Sequence, residues 1–460
     1  MELSGKRNKT ANLFLYSGIS LLAIGMLFGL LGAFQYITPG FIKDYLSFEK
    51  VRPLHVSSVV FWIILAAVGS VLNYFQEYSG RKIYSATLVK IQYWLFIAAI
   101  FLILVSYIFG IFGGREYWEF HPILAIPIVT AWILFLFNFF KSFKTFKNQP
   151  VFVWMWLTGV VFFLFTFIES YLWIIPYFRQ NIINDMTVQW KSYGSMVGSW
   201  NMLIYGCSIY LIDKISGDKH YGVSKMGFAI YFLGLLNLMF NWGHHIYTLP
   251  TLSYIKYISY LVSMTELILF FRILYQWKSS LNTARKNYYH IPYRFLMAAD
   301  VWVFLTLTLA IAMSIPAINL YTHGTHVTVA HTMGATIGIN TFLLFAFVFD
   351  ILWDKNKATA SQKKWFEAGY WLVFIALPVF WISLIIAGVL KAKWQMSANP
   401  IPFSMMMHSL KPYFIVFFIS GIFLFSGFFI LIILIFKNGL GKQVAKKQIN
   451  LIYYSGENIL

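Results

Sequence analysis

Long apolar runs alternate with short polar segments along almost the whole chain. A helix needs roughly 20 apolar residues to cross a hydrocarbon core about 30 Å thick. The pattern predicts about twelve such spans, with approximate limits 11–37, 53–76, 87–112, 121–141, 151–176, 187–212, 224–248, 252–277, 294–318, 325–352, 367–390 and 410–436. No linker, low-complexity stretch or convincing internal repeat interrupts them. We therefore expect an all-α polytopic membrane protein with a single domain over residues 1–460.

The composition excludes the soluble classes of protein. Hydrophobic residues make up 59% and charged residues 11%, whereas a soluble domain carries roughly 25% charged residues. So few charges cannot cover a soluble surface, so most side chains must face lipid or other helices. The single cysteine, Cys207, excludes a disulfide framework and cysteine-ligated zinc or iron–sulfur sites.

The positive net charge indicates how the chain is oriented in the membrane rather than binding to nucleic acid. It is +19, from 35 Lys+Arg minus 16 Asp+Glu, and the basic residues fall in short loops between apolar runs. Loops on the side of the termini hold most of them, so the positive-inside rule places both termini in the cytoplasm. The basic start at Lys6-Arg7 leads into a run too long for a signal peptide, and we interpret that run as the first span.

Histidines from three separate spans are predicted to meet near the outer face. His55 opens the second span, His244-His245 closes the seventh, and His331 enters the tenth behind His323 and His326. Polar side chains inside a membrane are costly and are functional candidates by default. Imidazole suits iron, copper and zinc. The other histidines, which lie at span ends, are interpreted as interfacial: His121, His220, His290 and His408.

Helix geometry limits how these side chains can be used. His331 stands alone on its face of the tenth span, as an axial haem ligand would. Met333, two residues on, faces about 200° away and is either a second haem's ligand or core packing. The adjacent His244 and His245 point about 100° apart, so one metal ion can take both only if a neighbouring helix completes the site.

Five motifs in order resemble the haem-copper oxidase superfamily, and within it the catalytic large subunit of bacterial cytochrome c-dependent nitric oxide reductase. The stretch FGLLGAFQYITPGFIKDYLSFEKVRPLHVSSVVFW resembles that family's first two spans, and GREYWE its calcium-binding outer loop. NWGHHIYTLP is similar to the helix end that binds the non-haem iron. SMTEL and YTHGTHVTVAH resemble the segments carrying a buried glutamate and the high-spin haem ligand.

The resemblance implies both a fold and a reaction. The fold is a haem-copper oxidase-like bundle, and the reaction joins two NO molecules, two electrons and two protons into N2O and water. The implied cofactors are a low-spin haem b, a high-spin haem b, a non-haem iron (or copper) and a calcium ion. The implied electron donor is a membrane-anchored cytochrome c subunit or another carrier, and the implied location is the bacterial cytoplasmic membrane.

The resemblance also assigns roles to residues of this chain. His55 and Met333 would bind the low-spin haem and His331 the high-spin haem. His244 and His245 would bind the second metal. Glu266 would be the catalytic acid beside it, and Glu116 would lie near the calcium ion and the haem propionates.

Two departures from the family affect these expectations. The family has a third metal-binding histidine in the sixth span and a glutamate four residues later, but residues 188–202 contain neither. The histidine position falls on Tyr193, Gly194 or Ser195, with Ser195 favoured by the spelling YGS, and the glutamate position falls on Val197 or Gly198. Tyr193, Ser195, Glu266, Asn201 or water are the candidates to complete the coordination. Met333 also stands where the family has a histidine, and Met ligation would raise the haem potential.

Several polar residues have open interpretations. Lys191 is expected to extend to the outer surface, and Glu169 and Asp300 are either proton-route acids or paired structural acids. His323 and His326 would cap the tenth span or bind haem propionates. Rival functions are an oxidase-type relative that reduces O2, a non-catalytic haem conduit or gas sensor, and a transporter, although a transporter should show repeats and broken helices.

Overall fold

The computed structural model describes residues 9–217, 220–265 and 287–455. Its long helices are α1 (Lys9–Ile37), α2 (Phe48–Ser79), α3 (Ala86–Ile108), α4 (Ala125–Ser142), α5 (Val151–Glu169), α6 (Ile182–Ser216), α7 (Lys225–Phe240), α8 (253–265), α9 (His290–Ser314), α10 (His326–Met333), α11 (Phe342–Leu352), α12 (Ala360–Gln395) and α13 (Phe403–Ser455). A 3₁₀ turn, Asn241–Ile246, extends α7, and a π-helical segment, Gly334–Thr341, joins α10 to α11.

The all-α membrane fold predicted from the sequence is confirmed. Among the described residues, ten helical stretches are long and apolar enough to span a membrane, and they coincide with ten predicted spans. The predicted span 187–212 lies within α6, a helix of 35 residues that is more polar than those ten. The predicted span 252–277 continues past residue 265 and so leaves the described part of the chain.

Two helical stretches form the centre of the bundle. In the most apolar windows of α2 and of residues 326–352, 83% and 78% of residues are buried, against 39% for α3. The indole of Trp62 on α2 donates a hydrogen bond to Oγ1 of Thr341, 3.2 Å away, and so joins the two stretches. Most side chains in these two windows therefore contact protein rather than lipid.

Glycines let α1 approach α2 closely at one depth. A Cβ built on Gly25 would lie 2.7 Å from Cγ1 of Val59, and one on Gly29 would lie 2.8 Å from Nδ1 of His55. Small residues at helix contacts allow such approach in membrane proteins. The contact fixes the position of His55 against the α1 backbone.

The helix that contains the predicted haem ligands is not α-helical throughout. The π-helical segment begins immediately after Met333, and within it Oγ1 of Thr341 donates to the carbonyl oxygen of Thr336 at 2.8 Å. Gly334 and Gly338 place this wide turn directly against Thr306 and Trp302 of α9. π-Helical turns are rare and frequently lie at functional sites.

Candidate functional site

His55 has one ring nitrogen fixed by the backbone. Its Nδ1 lies 2.7 Å from the carbonyl oxygen of Gly25. Because a carbonyl only accepts, Nδ1 carries the proton and Nε2 keeps its free lone pair. Imidazoles that bind a metal are commonly oriented by such a bond.

Met333 lies at about the same depth as His55. The ring of His326, at the start of α10, packs against Tyr36 near the end of α1, with centroids 5.8 Å apart. Met333 is seven residues below His326, and Gly29 is seven residues below Tyr36, a descent of about 10 Å in each helix. Since Gly29 contacts His55, both predicted low-spin ligands occupy one level of the bundle.

His331 lies about one turn below the start of α10. Its Nδ1 is enclosed and has no hydrogen-bond partner among the described residues, and the same holds for Oγ1 of the nearby Thr306. The indole of Trp381 donates to the carbonyl oxygen of Ala330 at 2.9 Å and holds the α10 backbone beside His331.

The start of α10 is capped by a threonine, so the expectation that His323 or His326 caps it is wrong. The hydroxyl of Thr325 accepts from the backbone N–H of Val327, as the side chain of an N-cap residue does. His326 instead packs between the rings of Tyr36 and Phe414.

His244 and His245 lie in the 3₁₀ turn that ends α7. Their ring centroids are 4.1 Å apart with the planes tilted by 37°. The indole of Trp190 on α6 stacks on His245 at 5.0 Å and 13°. His331 and His323 lie within electrostatic range of both rings. The structure therefore brings the predicted pair from α7 and the histidine from α10 into one region.

The face of α6 toward this pair carries no metal donor. Trp190, Gly194 and Gly198 follow at intervals of four residues and so share one helix face. Opposite them lie His245, Trp242 and Leu238, in that order. A Cβ on Gly194 would be 2.7 Å from Cβ of Trp242, and one on Gly198 would be 2.9 Å from Cα of Leu238.

This geometry bears on the missing sixth-span ligands. Gly194 and Gly198, rather than Ser195, face the α7 turn, and they have the four-residue spacing implied for the absent histidine and glutamate. The Tyr193 ring packs edge-on to Tyr117 at 5.5 Å, toward the outer loop. Glu266 lies outside the described residues. Within the described ranges, no three His, Cys, Asp or Glu side chains are arranged to hold a metal ion.

The outer loop forms a charged cluster around Arg52 of α2. Its guanidinium lies 3.2 Å from Glu116 and 2.6 Å from Glu119, so Glu116, the predicted calcium-region residue, is paired with an arginine. Tyr117, between the two acids, has φ 69°, a conformation that bulky residues rarely adopt. Burial, reinforced by the charge of Glu116, raises the pKa of Tyr117 to about 12.

Glu119 should make stability depend on pH. Burial raises the pKa of its carboxyl above the usual value of 4.5, against the opposing effect of Arg52. A raised folded pKa contributes stability that is complete below the unfolded value and is lost as pH rises through the folded value. We expect Glu119→Gln to gain thermal stability relative to the wild type as pH rises above about 4.5.

Melting temperatures of both proteins across that range measure this effect. Glu116→Gln, which removes the other ion pair of the same arginine, serves as the control and shows how much of any difference comes from losing an ion pair of Arg52 alone. A constant offset between Glu119→Gln and the wild type at every pH would contradict the expectation.

Lys191 pairs with an acid rather than extending free to the surface. Its Nζ lies 2.5 Å and 2.7 Å from the carboxylate oxygens of Glu169, the last residue of α5. Glu169 is therefore a paired acid at a helix end, which was one of its two predicted interpretations. The carboxylate of Glu169 thus compensates the charge of Lys191, the residue that follows Trp190.

The fold has a counterpart among solved structures. A solved haem-copper terminal oxidase dimer superposes on 94% of this chain and 84% of its own chain with a TM-score of 0.72, at 13% sequence identity. At that identity the likeness shows the fold alone. This is the helical bundle of the haem-copper oxidases.

The sequence then places the chain within that class. It belongs to the family described as cytochrome C and quinol oxidase polypeptide I, whose family model matches residues 9–423. The chain is 24% identical to a nitric oxide reductase subunit of Stutzerimonas stutzeri over 438 residues, which are 88% of this chain and 90% of that protein. It is 22% identical to a cytochrome c oxidase subunit 1 homolog of Agrobacterium tumefaciens (strain T37), over 91% and 81% of the two chains. The protein is thus a multi-pass membrane oxidoreductase of the haem-copper oxidase superfamily.

The described residues fit haem better than a second metal. The oriented ring of His55 and the enclosed Nδ1 of His331 suit axial haem ligands. For a second metal, the described residues provide the two imidazoles of His244 and His245, whereas catalytic metal sites such as those of zinc use three protein ligands. Sequence reasoning missed Trp190 and Arg52. The four-residue spacing of Trp190 to Gly194 and Gly198 was the available signal for Trp190.

Proposed function

We propose that this oxidoreductase reduces nitric oxide to nitrous oxide in a respiratory chain, at a centre built from His331, His244 and His245. The observation that carries the proposal is the pair of imidazoles at the end of α7, His244 and His245, whose ring centroids are 4.1 Å apart and which lie near enough to His331 on α10 for charges to interact. The likeness to a nitric oxide reductase subunit over most of both chains supports the choice of substrate.

Each haem would have its own ligands on these helices. His331 would hold the high-spin haem b, and His55 with Met333 would hold the low-spin haem b from one depth of the bundle. When bound, the haems and the second metal would supply electrons and binding sites for NO. The chain's own contribution is to hold two small molecules in one enclosed place, which converts their encounter into an effectively intramolecular reaction.

The wall between this centre and the outer loop is aromatic. Trp190 stacks on His245, and Tyr117 contacts both Trp190 and Tyr193 edge-on. Such a wall keeps bulk water from the centre and strengthens electrostatic interactions inside it. The Arg52 cluster with Glu116 and Glu119 would lie at the outer end of this wall, beside the haem propionates.

The second metal is proposed to be a non-haem iron, or copper, on His244 and His245. Gly194 and Gly198, rather than Tyr193 or Ser195, face the α7 turn, so the candidate for its remaining coordination is Glu266, which is also the proposed catalytic acid. A carboxylate from Glu266 would favour iron, the harder ion. Because Gly194 and Gly198 have no side-chain donor, the remaining metal ligand must come from residues outside this face of α6.

The electron donor and the cellular location proposed for the protein are those implied by the same family. Electrons would arrive at the outer side from a membrane-anchored cytochrome c subunit or another donor, and both termini would lie in the cytoplasm of a bacterium. Residues 1–460 would form one domain in the membrane lipid. A calcium ion near Glu116 would have to share that carboxylate with Arg52.

The full chain, purified in lipid nanodiscs, tests the proposal. We expect two haems b and one further iron or copper per chain, with one N2O formed for every two NO consumed. Consumption of O2 without N2O formation would instead favour an oxidase. Haem without a second metal and without NO turnover would overturn the proposal.

One observation favours a second candidate function. The α6 face opposite the histidine pair carries Gly194 and Gly198 rather than metal donors, which suits a haem protein that transfers electrons or senses a gas without catalysis. Full haem content, no second metal and reversible NO binding would be its signature.

Met333 should control the low-spin haem potential. Replacing it with histidine is expected to lower that haem's midpoint potential, because methionine ligation raises the potential relative to bis-histidine ligation. The change would be a fraction of the roughly 0.8 V over which axial ligands tune haem. Redox titration of the visible spectrum measures it. Met333→Leu is the control, which should give a five-coordinate haem, and identical spectra for all three proteins would show that Met333 is core packing.

A further inference from the structure

A chain of hydrogen-bonded polar side chains ends on the imidazole of His244. Nδ1 of His244 lies 3.3 Å from Oδ1 of Asn241, the first residue of the 3₁₀ turn. The same oxygen accepts a hydrogen bond from the hydroxyl of Ser263 on α8. The hydroxyl of Ser263 in turn accepts from that of Ser314 on α9 at 3.2 Å. Ser263 and Ser314 are both buried, so three helices enclose the chain.

The backbone around this chain is held as well. The hydroxyl of Ser259 donates to the carbonyl oxygen of Asn241 at 2.8 Å, and the amide of Asn319 donates to the carbonyl oxygen of His244 at 3.2 Å. A Cβ on Gly243 would lie 3.0 Å from the carbonyl oxygen of Ile255, so the turn lies directly on α8. Asn241 and His244 are thus fixed relative to each other from both ends of the turn.

The direction of these hydrogen bonds decides the tautomer of His244. Ser314 donates to Ser263, so the proton of Ser263 is free to be donated to Oδ1 of Asn241. Oδ1 has two lone pairs and accepts the second bond from Nδ1–H of His244. With the amide reversed, Ser263 would face a donor and its own proton would lose this acceptor. This arrangement favours the tautomer of His244 that has its proton on Nδ1 and a free lone pair on Nε2.

We propose that Asn241 is a positioning residue that holds His244 in the Nδ1–H tautomer, with Nε2 available to a metal or to a molecule bound at the centre. The inference rests on the proposed function, since it assigns a role to the support of one proposed metal ligand. Groups that orient a ligating imidazole typically change metal affinity by about 10- to 100-fold when they are removed.

Variants at Asn241 test the proposal with two readouts other than turnover. Asn241→Leu keeps similar bulk and removes the acceptor, and Asn241→Asp keeps an acceptor oxygen. Ser259→Ala, which removes a bond to the Asn241 backbone and leaves the Asn241 side chain unchanged, is the matched control. We expect chelator titration to show about 10- to 100-fold weaker binding of the second metal in Asn241→Leu, and wild-type or tighter binding in the other two.

The second readout is the infrared stretching band of CO bound to the reduced high-spin haem. The band senses the polarity around the bound gas, so it should shift and broaden in Asn241→Leu and stay in place in Ser259→Ala. If Asn241→Leu fails to retain its haems, Ser263→Ala replaces it, because that variant leaves the asparagine but frees its amide. A smaller loss of metal affinity is then expected.

The outcomes separate this inference from the proposed function. Wild-type metal affinity and an unmoved CO band in Asn241→Leu would overturn the positioning role while N2O formation continued. Equal loss of metal in Ser259→Ala and Asn241→Leu would mean that Asn241 only supports the local structure. This result would also overturn the positioning role. A wild-type protein without a second metal, whose CO band still moves only in Asn241→Leu, would overturn the proposed function and uphold the positioning of His244.

Discussion

Replacing His331 with alanine is expected to remove the high-spin haem and to lower N2O formation by at least about 100-fold, since even residues that only support a ligand cost about 10- to 100-fold. The imidazole lies among protein side chains and Nδ1 is enclosed, and alanine at this position would provide no nitrogen to bind the proposed haem iron. With the two haems of the proposed function, haem content should fall by half, and the high-spin features of the reduced spectrum should disappear.

Two controls make this result specific. His408→Ala removes an exposed histidine near the start of α13 and should leave both haems and the activity unchanged. Added imidazole should partly restore the spectrum of His331→Ala by entering the space left by the side chain. Retention of both haems and of wild-type turnover in His331→Ala would exclude this residue as a haem ligand.

Gly388→Ala is expected to be among the most damaging single-methyl additions in the chain. A Cβ on Gly388 of α12 would lie 2.2 Å from the backbone nitrogen of Val327 and 2.8 Å from the backbone carbon of His326. These are backbone atoms, so the start of α10 must move, and overpacking of this kind costs about 1–3 kcal/mol. Because His331 follows four residues later, the displacement should also release haem.

The melting temperature and the haem retained after extraction from the membrane measure this effect. Gly421→Ala is the matched control in another membrane helix, because its new Cβ would meet the end of the flexible Leu30 side chain at 3.2 Å. That variant should behave as the wild type. Equal haem content and melting temperatures in both glycine variants would show that α10 accommodates the extra carbon without moving its ligands.

Apolar run lengths predicted most of the fold because bilayer thickness sets helix length. The predicted span 367–390 lies inside α12, which extends to Ala360–Gln395, since helix continues beyond the lipid where hydropathy gives no signal. The capping box at Thr359 and Gln362 was a local signal for its true beginning. The predicted span 187–212 likewise lies within α6, a helix of 35 residues whose polar side chains lower its hydropathy because they contact protein neighbours such as Glu169 and Tyr117.

The candidate histidines could be named from the sequence, whereas the groups that orient them could not. Imidazoles in apolar runs are costly enough to be noticed, so His55, His244, His245 and His331 could be named from the sequence. The orientation of each ring depends on partners that are distant in the sequence, such as Gly25 for His55 and Ser263 for Asn241. The face of α6 could not be chosen among Tyr193, Gly194 and Ser195 until the opposite residue, Trp242, was located.

The π-helical turn below Met333 protects the tenth span against a length change of one residue. Each residue added to or removed from a regular α-helix rotates everything beyond it by about 100°, whereas a π turn accommodates one extra residue within a continuous helix. Loss of one residue from Gly334–Thr341 would convert the wide turn into ordinary α-helix and leave His331 and Met333 facing nearly the same neighbours. The same deletion inside α11 has no wide turn to absorb it and would rotate the residues beyond it.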